Sequence, residues 1–406
     1  MRFRFYTAGE SHGRGLVTLV EGVPAGLALT AELDIDPDLR RRQGGYGRGA
    51  RMRIEKDAAE FTAGVRLGET IGAPIALLVW NRDWKNWQVP MAYEPAAAGA
   101  TEKELRRVHL PRPGHADLVG VLKYDRSDAR DILERASARE TTARVAAGAI
   151  ARKLLAEFGI TIGSHIVMLG GVEAERTDVL PDDINAVADA SPLRTLDAVA
   201  EARMIEEIDA TKRAGDTLGG TFEVVARGVP VGLGSHVSWD RKLDGRIAHA
   251  MMSIQAMKGV EIGLGFEAAR RRGSLVHDEI ESDASLPRTG GFRRSRNNAG
   301  GLEGGITTGA PIVVRVAMKP LSSLMQPLKS VDLRTGDVGD AIRERSDVVA
   351  LAAAGVVGEA MLAIVLADAM LEKFGGDSMT EMRRNFDGYL DQLAQRHEAL
   401  GRAADD

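Results

Sequence analysis

The chain of 406 residues contains no cysteine, so disulfides, a thiolate nucleophile and a cysteine-ligated zinc site are all excluded. Aromatic residues make up only 4% of it, which disfavours a protein that binds nucleic acid by stacking bases on aromatic rings. The formal net charge is −5, so any concentration of positive charge is local and is not a property of the whole chain.

Several familiar motifs are also missing. No GxGxxG follows a strand and no GxxxxGK[ST] occurs, so neither a Rossmann fingerprint nor a P-loop is predicted. No HExxH pair suggests a metal site. The N-terminus has no apolar signal core, and the longest apolar run, Val348–Leu371, is interrupted by two glycines and two carboxylates. This run predicts a buried helix and not a membrane span, and we expect a cytoplasmic enzyme without a metal.

What the sequence does contain is a basic, glycine-rich segment. Arg40–Lys56 holds seven cations among four glycines. Glycine lets the backbone approach a ligand closely, and guanidinium groups match phosphate and carboxylate oxygens. Taken alone, the segment is equally compatible with a solvated loop or a nucleic-acid contact patch. Arginine and glycine recur together at Arg112–His115, and two more arginines, Arg135 and Arg139, lie four residues apart. These repeated arginines favour an anion site for a phosphorylated small molecule.

Three short segments of the first half recur in the same order in the second half. The pairs are Val20–Leu27 with Ala226–Leu233, Thr70–Ile75 with Thr307–Ile312, and Ala146–Gly148 with Ala353–Gly355. Their common order favours an internal duplication over chance. We therefore predict a single domain, 1–406, made of two related halves at roughly 1–200 and 201–380 about a pseudo-twofold axis, with a C-terminal tail at 381–406.

Runs rich in β-branched residues alternate with alanine-rich segments of helical periodicity. Strands are predicted at Gly15–Glu21, Pro74–Trp80, Gly219–Arg227 and Pro311–Met318, and helices at Thr141–Phe158, Leu243–Met257 and Val348–Phe374. This pattern predicts an α+β fold, a β-α-β sandwich with helices packed on antiparallel-rich sheets.

Two histidines lie in unusual surroundings, His12 within GESHG and His115 within RPGHAD. A histidine between glycines is more often structural or exposed, but neighbouring arginines favour one that exchanges a proton near neutral pH. Asp347 precedes the last long helix and could cap it. Lys319–Ser323 follows a predicted strand and could contact a phosphate or a flavin, or form an exposed turn. The glycine-rich loop Arg296–Gly305 could cradle a ligand or simply turn the chain.

Taken together, these motifs resemble those of the chorismate synthase family, from Gly9 to about Phe374. They are GESHG, RRQGGYGRG, RPGHAD, SARET with RVAAGAIA, GVPVGLG, SIQAMKGVEIG, NNAGGLEGG, KPLSS and RSD. The resemblance implies a 1,4-anti elimination of phosphate from 5-enolpyruvylshikimate 3-phosphate, which yields chorismate at the end of the shikimate pathway. It also implies a requirement for reduced FMN without net redox change.

The resemblance carries roles to particular residues. His12 and His115 match two active-site histidines, one expected to protonate the departing phosphate and the other to manage charge on the reduced flavin. Asp347 matches an acid expected to assist removal of the ring proton. Positions for the substrate anions or NADP are Arg42, Arg48, Arg112 and Arg139. Positions for the flavin are Arg135, Ala136, Ser137, Gln255, Ala256, Gly304, Lys319, Pro320, Leu321, Ser322, Ser323 and Arg345. Ala136 and Leu321 depart from the family's usual residues, but both retain their backbone donors.

The resemblance further implies a cytoplasmic homotetramer that acts on a small molecule and binds neither nucleic acid nor a membrane. No additional reductase domain is evident, so an external flavin reductase is expected to supply reduced FMN, with NADPH serving only as the external reductant. One rival is an NADPH-dependent flavin oxidoreductase, which would consume one NADPH per product. The other is a nucleic-acid-binding protein, supported only by Arg40–Lys56.

Overall fold

The computed structural model describes residues 2–49, 56–177, 179–344 and 347–402. Its strands are β1 Arg4–Ala8, β2 Gly15–Glu21, β3 Glu60–Ala63, β4 Val65–Arg66, β5 Glu69–Thr70, β6 Ile75–Trp80, β7 Thr161–Leu169, β8 Val172–Glu173, β9 Gly220–Arg227, β10 Met257–Ile262, β11 Ile280–Ser282, β12 Phe292–Arg294, β13 Leu302–Glu303, β14 Ile306–Thr307, β15 Ile312–Met318, β16 Lys329–Val331 and β17 Val338–Asp340. Its α-helices are α1 Asp36–Gln43, α2 Asp117–Tyr124, α3 Arg130–Ala136, α4 Thr141–Ala156, α5 Ile184–Ala188, α6 Ala198–Ala214, α7 Leu243–Met252, α8 Gly273–Val276, α9 Leu351–Phe374 and α10 Met379–Arg402.

Two antiparallel sheets enclose a helical layer. The first sheet has the strand order β1-β2-β6-β3, and the second has the order β10-β15-β9-β7-β8. Helix α4 packs on the first sheet, α9 packs on the second, and the two helices pack on each other. The prediction of an α+β sandwich with helices on antiparallel sheets is confirmed, and the four predicted strands are correct to within one residue.

Helix α9 lies at the centre of this sandwich, which explains its composition. It is long and apolar enough to cross a membrane, but 94% of its most apolar 18-residue stretch is buried inside the molecule. It is therefore a core helix. Gly148 of α4 allows the backbones to approach closely, because a Cβ atom there would lie 2.3 Å from the Cβ of Ala360.

The predicted duplication reappears as a repeated set of hydrogen bonds. In the first half, Thr70 Oγ1 donates to the Pro24 carbonyl and accepts from the Leu27 amide. In the second half, Thr307 Oγ1 makes the same two bonds with the Pro230 carbonyl and the Leu233 amide. The strands on either side of these contacts also pair alike, because β2 pairs with β6 as β9 pairs with β15.

One predicted element is wrong at its end. The helix expected over Leu243–Met257 stops at Met252, and Met257 is already the first residue of β10. Ala256 has φ = +70°, a left-handed conformation that an α-helix cannot contain, so the chain turns before the strand begins. After α9, the segment for which a tail was expected is largely helical, and α10 buries Met382 and Phe386 against the core.

Candidate active site

His12 lies in the loop between β1 and β2, against α3. Its Nδ1 is 2.9 Å from Oε1 of Glu134, and its backbone amide donates to Oε2 of the same carboxylate at 2.8 Å. An ionised carboxylate only accepts hydrogen bonds, so Nδ1 carries a hydrogen and Nε2 is the nitrogen that can gain or lose a proton. Burial opposes ionisation of Glu134, but its bonds to His12 and the charge of Arg130 outweigh this, and the pKa of Glu134 lies below its ordinary value.

His115 is held in the same way by a different carboxylate. Its Nδ1 is 2.5 Å from Oδ1 of Asp117, the first residue of α2. Arg112 donates from Nε to Oδ2 of Asp117 at 2.9 Å, and its Nη1 donates to Ser323 Oγ at 2.8 Å. Asp117 is fully buried, which disfavours its charge, yet the bonds from His115 and Arg112 hold its pKa well below the ordinary range.

Two predicted anion-binding arginines share a buried carboxylate. Arg139 Nη1 donates to Asp57 Oδ2 at 2.6 Å, and Arg42 Nη1 is 3.8 Å from the same oxygen. Arg42 also donates from Nε to Thr141 Oγ1 at 2.9 Å. The side chains of Arg42 and Arg139 are only 6% and 4% exposed. This burial excludes a solvated loop for this part of the basic segment. The two arginines and the one carboxylate, Asp57, together carry one net positive charge.

Asp347 is paired with Arg48, whose Nε is 2.8 Å from Oδ2. Oδ1 of Asp347 accepts the Gly49 amide at 2.6 Å. Helix α9 begins four residues later, at Leu351, without a side-chain cap. Asp347 therefore does not cap this helix, and its carboxylate instead holds the glycine-rich segment beside it. Residues 50–55 of the basic segment lie outside the described residues.

The predicted flavin positions come together from three parts of the chain. Arg135 donates to the carbonyls of Thr7 and Gly9 at 2.8 and 3.1 Å, and Ser137 Oγ lies 3.2 Å from Ser11 Oγ. Gln255 donates to Glu140 at 3.0 Å, and Glu140 accepts from Thr7. These contacts join the β1–β2 loop, the end of α3 and the turn before β10.

The segment Lys319–Ser323 closes the site from the side of His115. The Lys319 amide donates to the Ala256 carbonyl at 3.0 Å. Ser322 Oγ donates to the Gly114 carbonyl at 3.4 Å, while Ser323 accepts from Arg112. Burial, together with the nearby charge of Lys258, lowers the pKa of Lys319.

One predicted flavin position, Gly304, is not brought into this group. Gly304 lies in the turn between β13 and β14, beside the start of α7, where Gly305 accepts the Leu243 amide. Gln255 follows the opposite end of α7, and a helix of ten residues is about 15 Å long. Arg345 lies outside the described residues.

The residues gathered here fit a flavin. Gln255 Oε1 is buried and has no hydrogen-bond partner within residues 2–49, 56–177, 179–344 and 347–402. A buried acceptor without a partner is costly, and a ring N–H group of a flavin would satisfy it. No group of three histidine, aspartate or glutamate side chains in the same described residues could hold a metal ion.

The residues that support the site carry little signal in the sequence. Asp57, Glu134 and Trp87 were not identified, and Asp117 was quoted within RPGHAD without a role. Glu134 directly precedes the Arg135 motif, and that adjacency was the only signal in the sequence. Trp87, which stacks on His12, has no motif of its own.

Comparison with known proteins identifies the family to which the chain belongs. The family model described as chorismate synthase matches residues 3–371. A chorismate synthase of Geobacter metallireducens is 58% identical over 393 residues, 96% of this chain and 99% of that protein. One from Aquifex aeolicus is 55% identical over 398 residues, covering 96% and 98%. A solved structure described as "Crystal Structure of Chorismate Synthase" is 47% identical, with a TM-score of 0.78, and covers 97% of this chain and 99% of its own. A match of this extent, in sequence and in fold, establishes that the chain belongs to the chorismate synthase family.

Proposed function

We propose that this chain, a lyase by its family, catalyses the 1,4-anti elimination of phosphate from 5-enolpyruvylshikimate 3-phosphate. The product, chorismate, is the precursor for aromatic amino-acid biosynthesis. One observation carries the proposal at the level of the site: His12 and His115 come from separate loops, and each has Nδ1 held by a buried carboxylate. Arg42 and Arg139 contribute buried guanidinium groups from other segments, and a substrate with one phosphate and two carboxylates requires such groups.

Separate residues are proposed to bind the substrate and to transfer protons. Arg42, Arg48, Arg112 and Arg139 bind the phosphate and carboxylates of the substrate. Buried guanidiniums stabilise the charge that grows on the departing phosphate more strongly than water does. Nε2 of His12 or of His115 delivers a proton to that phosphate, and the second histidine balances charge at the cofactor. Asp347 assists removal of the ring proton.

Reduced FMN is the proposed cofactor, and when bound it supplies electron density to the allylic centre and recovers it as the ring proton is lost. Gln255 offers a buried acceptor for a ring N–H group, and Arg135 and Lys319 offer positive charge for its phosphate. An external flavin reductase that uses NADPH would keep the flavin reduced. The rival, a flavin oxidoreductase, would instead oxidise NADPH in proportion to product.

The test is an anaerobic assay with reduced FMN and 5-enolpyruvylshikimate 3-phosphate that follows phosphate release. We expect release without net oxidation, and no product with oxidised FMN when no reductant is present. His12→Ala and His115→Ala should each slow turnover by roughly 10- to 1000-fold, as loss of a general acid or base does. His249→Ala, on the exposed side of α7, is the matched control. Stoichiometric NADPH consumption, or full activity in both histidine variants, would contradict the proposal.

The chain is further proposed to act as a cytoplasmic homotetramer. The outer face of the first sheet supports self-association, because Tyr6, Val17 and Trp80 are 62%, 39% and 44% exposed there. Arg4 and Glu21 are opposite each other at one end of this face, so a second copy could pair charges reciprocally. Light scattering should give a multiple of the 43.5 kDa chain mass, and Val17→Lys should lower it. A monomeric wild type would refute this part of the proposal.

A further inference from the structure

The imidazole of His12 is stacked on an indole ring that comes from elsewhere in the chain. The ring centroids of His12 and Trp87 are 3.6 Å apart, and the two planes differ by 21°. Trp87 is only 8% exposed, so the indole covers this face of the imidazole and shields it from solvent. It lies in the segment after β6, which the motifs that identify the family do not include.

Trp87 is itself fixed on several sides. Its Nε1 donates to Asp83 Oδ2 at 3.1 Å, across the short helical turn Trp84–Asn86. The guanidinium carbon of Arg106 is 4.2 Å from the centre of the indole, within the range of a cation–π interaction, and that of Arg130 is 5.3 Å away. The indole is therefore a rigid surface against which the imidazole plane is set.

Glu134 fixes the remaining freedom of the imidazole. Both of its oxygens lie within 3.0 Å of His12 Nδ1, and one also accepts the His12 backbone amide. Arg130 donates to Oε1 of the same carboxylate at 2.8 Å, and this side chain of Glu134 is 1% exposed. Stacking restricts the tilt of the ring, and the carboxylate restricts its rotation and its tautomer.

We propose that Trp87 and Glu134 are positioning residues that together set the orientation and the tautomer of His12. The proposal rests on the proposed role of His12 only for its effect on turnover, since the stacking and the pairing exist independently of that role. Neither residue needs to touch the substrate. Each acts through the imidazole, so its loss should change a property of His12 that can be measured.

Charged groups on every neighbouring element act on this imidazole. Glu134 stabilises the imidazolium, and Arg130 on the same helix opposes it and is partly neutralised by Glu344 at 3.2 Å. Arg106 acts from the segment before α2, beyond the indole, and Glu10 belongs to the loop of His12 itself. The closest of these contacts is with Glu134, so the carboxylate dominates and the indole face adds a smaller attraction for the cation.

The direct test is a fluorescence titration of the full chain from pH 5 to 9. A protonated imidazole quenches an indole stacked on it, so the emission of Trp87 should rise as His12 loses its proton. Wild type and Trp84→Phe, which changes the neighbouring tryptophan, should both show the transition. Trp87→Phe and His12→Asn should lack it. Glu134→Gln should move its midpoint down, because the carboxylate no longer stabilises the imidazolium.

Turnover supplies the second readout. Trp87→Ala should lower kcat by up to about 100-fold with little change in KM, since a misplaced catalytic group costs rate more than binding, and Trp87→Phe should restore most of it. The midpoint of the alkaline limb of the kcat profile should move down in Glu134→Gln, because the protonated form of His12 is the proposed proton donor, and a purely structural role would not cause this. A titration that persists in His12→Asn, or a midpoint unchanged in Glu134→Gln, would overturn the proposal. Full activity of His12→Asn with the titration abolished would instead refute only the catalytic role of His12.

Discussion

Replacing Glu359 with glutamine tests how the core supports the site. Glu359 lies in the middle of α9 and is completely buried. Its two oxygens accept hydrogen bonds from three arginines and two neutral side chains. The donors are Arg41, Arg152, Arg194, Ser164 and Asn185, at 2.6 to 3.1 Å. Arg41 is adjacent to Arg42 in α1, so this network also fixes the helix from which the basic segment continues.

The expected loss of unfolding free energy follows from the carboxylate charge that these donors stabilise. Burial opposes ionisation of Glu359, but Arg41, Arg152 and Arg194 outweigh it and lower its pKa from 4.5 to about 2. At about 1.4 kcal/mol per pH unit, this corresponds to roughly 3 kcal/mol of folding free energy at neutral pH. Removing one partner of a buried ion pair costs about 3–5 kcal/mol, since the other charges remain buried. We therefore expect Glu359→Gln to lower the free energy of unfolding by about 3–5 kcal/mol.

The same shift fixes the pH dependence. A carboxylate with a depressed pKa contributes its full stability above its unfolded value of 4.5, and the contribution disappears as pH falls through about 2. The difference in urea-unfolding free energy between wild type and Glu359→Gln should be constant from pH 7 to 5 and should shrink below pH 4.5. Glu372→Gln, on the exposed end of the same helix, is the matched control and should cost less than about 1 kcal/mol. A loss below 1 kcal/mol for Glu359→Gln, or a difference that does not change between pH 5 and 3, would refute the reasoning.

Three further outcomes are expected. Gly148→Ala should destabilise the protein by about 1–3 kcal/mol, because the added Cβ would overlap the backbone of α9. Gly245→Ala, on the open side of α7, is the control and should be neutral or stabilising. Equal melting temperatures for the two variants would contradict this packing. Asp347→Asn should lose the unfolding free energy that its ion pair with Arg48 contributes and should also turn over slowly, and normal turnover would remove Asp347 from the mechanism. Asp117→Asn should reduce kcat by about 100-fold or more, because His115 loses the acceptor that fixes its Nδ1 hydrogen, and kinetics unchanged from wild type would rule out that role.

Much of the fold was predictable, since its signals are local. The apolar side chains alternate with polar ones along Gly15–Glu21 and recur at helical spacing along Thr141–Phe158. Both patterns depend on residues only a few positions apart. The sequence also suggested the duplication, and Thr70 and Thr307 make matching hydrogen bonds in the two proposed halves. The end of the helix predicted over Leu243–Met257 was not predictable, since the left-handed conformation of Ala256 is not an intrinsic preference of alanine.

The motifs predicted which loops form the site, but not what holds their side chains in place. Asp57 sits between Arg42 and Arg139, and this contact exists only because α1 and α4 pack side by side. Hydrogen bonds of this kind depend on distances of about 3 Å between atoms far apart in the chain. No local pattern carries that information, so the carboxylates that support the arginines and histidines were missed.

The sequence by itself determined four strands of the two large sheets, the helices that begin near Thr141, Leu243 and Val348, the buried character of α9 and the identity of the loops that carry histidine and arginine. Those properties follow from hydrophobic periodicity and backbone preference, which act over a few neighbouring residues. Only the tertiary structure decided that Trp87 covers His12 and that Glu359 meets arginines from three separate segments. Stacking and buried charge pairing require atoms to be within a few ångströms of each other, and the packing of the two sheets on their shared helices sets those separations.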